Sequence, residues 1–183
     1  MKIFLSLFLF LTISFSQSIR TRPVDWGLKV INTDLDNFYK ISDQLYRSAN
    51  PDDSDIPDLK ALKLRTILNL RYYHDDADDL ENNNLILKRI KMKAYKVSEK
   101  QVIEALRIIL ESKGPTLVHC LHGSDRTGTV VAAYRIIVQN WSKEKALDEM
   151  QNGDYGFHDM FDNLPKLIMN FDVLKMKKEL NLN

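Results

Sequence analysis

Residues 114–141, "GPTLVHCLHGSDRTGTVVAAYRIIVQNW", restrict the possible folds of this chain more than any other stretch. Gly114-Pro115 stops whatever precedes it, and Thr116 to Cys120 is a short β-branched and apolar run that reads as a buried strand. Beyond the loop, Val130, Val131, Tyr134, Ile137, Val138 and Trp141 recur at helical spacing. The chain must therefore pass from a buried strand, through a tight loop containing Gly123, directly into a helix. At such a junction the first helical amides have no intrahelical acceptor and point outward, so the loop can form a concave set of donors for a tetrahedral anion.

The chemistry-bearing residues fall inside this loop. Cys120 is the single cysteine of the 183-residue chain. It is either a buried inert thiol or a reactive one, and a helix N-terminus with a nearby cation favours the nucleophilic thiolate. Arg126 lies where the loop turns back, and its planar fork matches two oxygens of a phosphoryl group. Gly123 and Gly128 permit tight turning and close backbone approach. Thr127 places a hydroxyl where it could donate to the sulfur.

Strands are also expected at residues 38–41, 44–47, 65–71 and 87–92, and helices at 54–63, 98–112, 142–151 and about 162–180. The helix opening at Ser98 is the clearest of these. Ser98 with Gln101 makes a capping-box pattern, Val102, Ile103, Leu106, Ile109 and Leu110 line one face, and Gly114-Pro115 ends the segment. Strands alternating with helices imply an α/β layered domain. The length fits one core and not two domains with a linker.

Lys and Arg number 26 against 25 Asp and Glu, so net charge argues against a nucleic-acid partner, and any anion preference must be local. Two local biases exist: residues 74–81 are acidic, and residues 88–100 carry six Lys or Arg. The second could steer substrates with several negative groups or be only a solvated face. At the N-terminus, Met1-Lys2 precedes the apolar run "IFLSLFLFLTISF", the length of a signal-peptide core and short for a membrane span. Residues 1–18 are read as a cleaved signal peptide, 19–37 as an N-terminal extension and 38–183 as the folded domain. The expected location is periplasmic or secreted, with no stable membrane insertion after cleavage; an uncleaved anchor is the alternative.

The Cys-x5-Arg loop "HCLHGSDRTG" resembles the signature of the cysteine-based protein tyrosine phosphatase superfamily, in its dual-specificity-like branch. "LYRSANP" (residues 45–51), "RTILNLR" (65–71) and "WSKEKALDEMQNGDYGFH" (141–158) are similar to segments of a bacterial subfamily. The resemblance implies an α/β single domain with a central four- to five-stranded sheet flanked by helices, and a phosphatase that works through a phosphocysteine intermediate, with no metal and no cofactor. Carried over by position, it makes Cys120 the nucleophile, Arg126 the phosphate clamp, Thr127 the stabiliser of the leaving thiolate and His119 a loop organiser. The amides of Leu121, His122, Gly123, Ser124, Asp125 and Arg126 become the cradle, and Arg47 a candidate buttress of the loop or else a salt-bridge partner elsewhere. Phosphorylated proteins, phosphoinositides and small phosphate esters are all admissible substrates. A phosphoanion-binding module with little turnover is the competing function class, and sulfur transfer of the rhodanese kind a more distant one. The resemblance leaves oligomeric state open.

One departure stands out. Family members carry their general acid on a separate loop, which here corresponds to "KAYKVSE" (residues 93–99) and contains no Asp. Asp125 resembles instead the loop acid of myotubularins and related bacterial enzymes with a Cys-x4-Asp-Arg loop. The competing reading is that Asp125 only orients Arg126, leaving the acid to Asp75, Asp76, Asp78 or Asp79. Phe157 and His158 could line the pocket, and His122 is expected at the loop surface.

Overall fold

The computed structural model describes residues 21–80 and 84–182, so the expectations for the signal segment lie outside the described residues. Six strands form one mixed sheet in the order β1-β2-β3-β6-β4-β5. They are β1 (Leu28–Lys29), β2 (Tyr39–Lys40), β3 (Leu45–Ser48), β4 (Thr66–Arg71), β5 (Ile86–Met92) and β6 (Thr116–His119). The first three pair antiparallel. Strands β3, β6, β4 and β5 run parallel, with β6 between β3 and β4. A central parallel strand is covered on both faces, which is why "TLVH" is buried throughout and reads as a continuous run rather than an alternation.

Side chains alternate faces along each strand, so one sheet divides the interior into two cores. Leu68 and Val118 join Ile103, Leu106, Val130, Val131 and Ala133 on one face, packed by α3 (Glu99–Glu111), α4 (Asp125–Ile137) and α5 (Lys143–Asn152). Ile67 and Leu117, one residue away, face Leu35, Phe38, Tyr46 and Leu59 on the other, beneath α1 (Ile56–Ala61). A short turn of helix, α2 (Ala77–Leu80), follows β4. The fold is a single α/β domain of the expected kind, with one more strand than the upper end of the expectation. That strand, β1, is two exposed residues long and carries no alternation to read.

Helix α3 begins and ends close to expectation, with both arms of the Ser98–Gln101 capping box formed. Such a cap contributes on the order of 1 kcal/mol. The C-terminal expectation needs correction, because residues 162–180 form two helices, α6 (Asn163–Met169) and α7 (Val173–Glu179). The chain breaks at Asn170, and Asp172 then caps a new helix by accepting from the Lys175 amide. Phe171, Leu164, Ile168 and Met176 are buried in the larger core, so the break lets two short amphipathic faces dock where one straight helix could not.

Residues 21–37 are packed against the domain. Trp26 and Leu35 are buried, and the Gly27 amide donates to Glu149 Oε1 at 2.7 Å. Glu149 is also gripped by Arg135 through two bonds of 2.7 Å and receives the Tyr155 hydroxyl at 3.1 Å. Arg22 donates to the same hydroxyl at 2.9 Å. This network ties the N-terminal segment and helices α4 and α5 to the loop after α5, and so fixes where Tyr155 stands.

Candidate active site

Strand β6 ends at His119, Cys120 follows, and α4 begins at Asp125, so the expected strand-loop-helix junction is formed at the carboxyl end of the parallel strands. Open parallel sheets place their binding crevices at this end. Cys120 is buried at the floor of the loop, with 2% of its surface exposed.

The loop is shaped from behind by its carbonyls. Leu121 O accepts from the Asn50 amide at 3.1 Å, His122 O from Asn37 Nδ2 at 2.8 Å, and Gly123 O from Arg47 Nη2 at 2.5 Å. Ser124 O receives the Gly128 amide at 2.8 Å as the first turn of α4 closes. Four successive carbonyls are thus drawn to the outside of the turn. Because each peptide N–H points opposite to the carbonyl that precedes it, the amides of residues 122–125 are directed inward, and none of the amides of residues 121–126 donates a hydrogen bond among the described residues. Gly123 makes the sharp step possible. Its φ is +71°, and a Cβ there would meet Ser48 O at 2.4 Å. Gly128 has a different task from the turning expected of it: it lies within α4, where a Cβ would come 3.1 Å from Met150 Cγ, so it permits α5 to pack closely.

Arg47 sits behind this bowl, fully buried. Besides its bond to Gly123 O, the guanidinium stacks on the Tyr155 ring, 3.6 Å from the centroid. Its Nε and Nη1 have no hydrogen-bond partner among the described residues. Burial pushes its pKa below the ordinary arginine value, while the fields of Tyr155, Glu149 and Cys120 pull it back up. A buried guanidinium without a carboxylate partner is costly unless negative charge lies near, and the bowl above it is where an anion would sit. The loop-buttress reading of Arg47 describes its contacts; the salt-bridge reading does not.

His119 is completely buried and bridges outward from the loop. Its Nε2 lies 2.8 Å from Asp76 Oδ2 and its Nδ1 3.2 Å from Cys120 O. Asn69 Nδ2 holds the other Asp76 oxygen at 2.6 Å. Asp76 is therefore committed to the back of the site. Asp75 pairs with Arg89 at 3.0 Å, and its pKa is lowered chiefly by the Ala77 amide. The side chains of Asp78 and Asp79 lie outside the described residues.

Asp125 is bonded elsewhere than to Arg126. Its Oδ1 accepts from the His158 amide at 2.9 Å, and its Oδ2 lies 2.9 Å from His158 Nδ1. Arg126 reaches Met92 O at 3.4 Å, with Nε unpartnered, so its orientation comes from the β5 end and not from Asp125. The Thr127 hydroxyl is buried without a partner among the described residues, the Cys120 sulfur included. His122 is exposed as expected, its ring 5.9 Å from that of His158.

Beside Arg126 opens a cleft of about 300 Å³ lined by Arg71, Tyr72, Tyr73, Met92, Lys93, Tyr95, Leu121 and Phe161. Lys93 stacks over Tyr72 at 4.3 Å. Of the basic run, Lys93 faces this cleft, while Lys88, Lys91, Lys96 and Lys100 are exposed and Arg89 is used by Asp75 and the Arg71 and Tyr72 carbonyls. Among the described residues no group of three His, Cys, Asp or Glu is arranged to hold a metal, and no helix is long and apolar enough to cross a membrane.

Residues 33–182 match the model of the tyrosine phosphatase family. Among curated proteins, the dual specificity protein phosphatase TpbA of Pseudomonas aeruginosa is 35% identical over 160 residues, covering 86% of this chain and 72% of that protein. The inositol diphosphatase DSP5 of Arabidopsis thaliana is 32% identical over 151 residues, covering 78% and 72%. The crystal structure of P. aeruginosa TpbA superposes with a TM-score of 0.79 at 32% identity, covering 88% of this chain and 99% of that one. A second TpbA structure, in complex with phosphotyrosine, gives 0.79 at 31% identity, covering 89% and 100%. With the family match spanning residues 33–182, and Cys120 and Arg126 set in a loop between β6 and α4, the chain belongs to the tyrosine phosphatase family of cysteine-dependent phosphatases.

Proposed function

We propose that this phosphatase hydrolyses phosphate monoesters with Cys120 as nucleophile, and that its preferred substrates carry the phosphate on an aromatic ring, as phosphotyrosine does. The observation that carries the reading is the bowl itself: the inward-facing amides of residues 122–125 in the loop that follows Cys120, with Arg126 at the rim and Arg47 behind. Such a set of fixed donors stabilises the equatorial oxygens of a phosphoryl group without reorganising during the reaction. The sulfur attacks phosphorus, the ester oxygen leaves with a proton from Asp125, and water then releases phosphate from the cysteine as Thr127 donates to the departing thiolate. His119, locked between Asp76 and the Cys120 carbonyl, holds the start of the loop in place.

The cleft supports the aromatic preference, since Tyr72, Tyr73, Tyr95 and Phe161 form walls for a flat ring beside Arg126. TpbA structures include a phosphotyrosine complex. A second reading has a specific observation behind it. Arg71 and Lys93 share the cleft with Arg126, three cations that match an inositol phosphate, and DSP5 is named an inositol diphosphatase. Turnover compared across phosphotyrosine peptides, phosphoinositides and inositol phosphates decides between them. A higher kcat/KM for phosphotyrosine supports the first reading, and a higher value for an inositol phosphate replaces it with the second. The apolar run of residues 3–15 supports export, placing the reaction outside the cytoplasm. A mature protein beginning near Gln17 or Ile19 in the exported fraction is the expected result; an intact Met1 in the cytosol contradicts it.

A further inference from the structure

The pairing of Asp125 with His158 extends that reading and rests on it. Asp125 opens α4 at the edge of the phosphate loop and is buried, whereas 46% of the His158 side chain is exposed. Three contacts bind them: the His158 amide to Oδ1 at 2.9 Å, and Nδ1 to Oδ2 at 2.9 Å and to Oδ1 at 3.2 Å. The amide bond fixes the carboxylate plane, and the ring contact requires one proton shared between Nδ1 and the carboxylate. The imidazole stands between the loop and the cleft, 5.9 Å from the His122 ring and edge-on to Phe161 at 6.3 Å. Phe161 itself lines the cleft beside Arg126.

We propose that His158 is the positioning residue for Asp125 and holds the proton that Asp125 delivers. An ionised carboxylate only accepts hydrogen bonds, so acting as a proton donor requires a proton source at hand. In the pair, the proton can reside on Nδ1 while Asp125 stays ionised, and it crosses one short hydrogen bond to the carboxylate when the leaving oxygen needs it. The ring is partly exposed, so solvent can restore the proton through it. Among the described residues, the titratable groups that face the ring are Asp125 from α4 and His122 from the phosphate loop.

The accounting over a cycle closes. Formation of the S–P bond breaks the ester P–O bond, and the pair's proton passes to the leaving oxygen to give a neutral alcohol or phenol. The pair is left as a carboxylate, still held by the His158 amide, facing a neutral imidazole that keeps its proton on Nε2. Water then attacks phosphorus, the S–P electrons return to sulfur, and the proton of the water goes back to the pair.

The test uses the full chain as His158→Ala, His158→Asn, Asp125→Asn and the His158→Ala/Asp125→Asn double variant. Each is assayed on an alkyl phosphate and on an aryl phosphate with an acidic phenol, with vanadate binding as the check that the bowl is intact. His158→Ala should lower kcat on the alkyl ester by at least about tenfold and on the aryl ester far less, because only the poor leaving group needs its proton. It should add little to Asp125→Asn, since the two act as one unit. His158→Asn retains a donor to the carboxylate, and should recover part of the alkyl turnover while altering the basic limb of the kcat–pH profile. Equal losses on both esters, or losses that multiply in the double variant, overturn the proposal. The underlying phosphatase reading fails separately, if Cys120→Ser keeps its aryl turnover.

Discussion

The guanidinium of Arg47 lies flat on the ring of Tyr155, 3.6 Å from its centroid, and from there donates to the carbonyl of Gly123. A cation from β3 and an aromatic ring from the loop after α5 thus meet beneath the phosphate loop, although the two residues are far apart in the chain.

Arg47→Met is expected to separate function from stability. Exchanging a buried, incompletely bonded charge for an apolar side chain of similar length leaves stability within about 2 kcal/mol of the parent. Losing the donor that turns Gly123 O outward, together with a fixed charge behind the bowl, should weaken vanadate binding by about tenfold or more. Unchanged vanadate affinity in a folded variant would remove Arg47 from the anion site.

Tyr155 supplies a pH signature. Burial, followed by the field of Glu149, raises its hydroxyl from 10 to about 12. A raised folded-state value means that the stability contribution is complete below pH 10 and is lost as pH rises towards about 12, where the folded chain also ionises. Tyr155→Phe should flatten this part of the alkaline unfolding curve and cost roughly 1 kcal/mol at neutral pH for the lost bonds to Arg22 and Glu149. Denaturant titrations across that range check it; an unaltered slope assigns the alkaline loss to other groups.

For Asp125, dependence on the leaving group is diagnostic. Asp125→Asn should slow an alkyl phosphate by about 10²- to 10⁴-fold and an aryl phosphate with an acidic phenol much less. Equal slowing would mean that the residue only organises the loop. Asp75 and Asp76 are poor replacements, one paired to Arg89 and the other buried against His119.

Much of this site was readable from the chain because its core is local. A β-branched run, a glycine and a helical period within residues 116–141 dictate a strand, a tight turn and a helix, and the position of Cys120 and Arg126 follows. The rest depends on packing between distant segments. Asn37 and Asn50, which turn the loop carbonyls outward, stand in irregular stretches with no local pattern to mark them. The His158 partner of Asp125 is 33 residues away, and nothing in the sequence near Asp125 points to it. The break between α6 and α7 was hidden for a similar reason: the apolar period continues across it, and Asp172 looks like any surface acid until its cap is seen.

The proposed substrate preference can be tested at the cleft wall. Lys93→Glu should reduce inositol-phosphate turnover relative to phosphotyrosine, because like charge then faces the extra phosphates. Lys96→Glu, at an exposed position outside the cleft lining, should leave that ratio nearly unchanged. If both variants shift the ratio alike, long-range charge rather than the cleft governs selection.

The central claim is that phosphate passes through the Cys120 sulfur, and acid quenching during turnover of an aryl phosphate tests it most directly. Mass analysis of the quenched chain should find one phosphoryl group on the peptide containing Cys120, accompanied by a burst of phenol release when breakdown of the intermediate is rate-limiting. The label should be absent from Cys120→Ser, which should also lose turnover. Sustained turnover in that variant, or a phosphoryl group found on another residue of an active chain, would contradict the account.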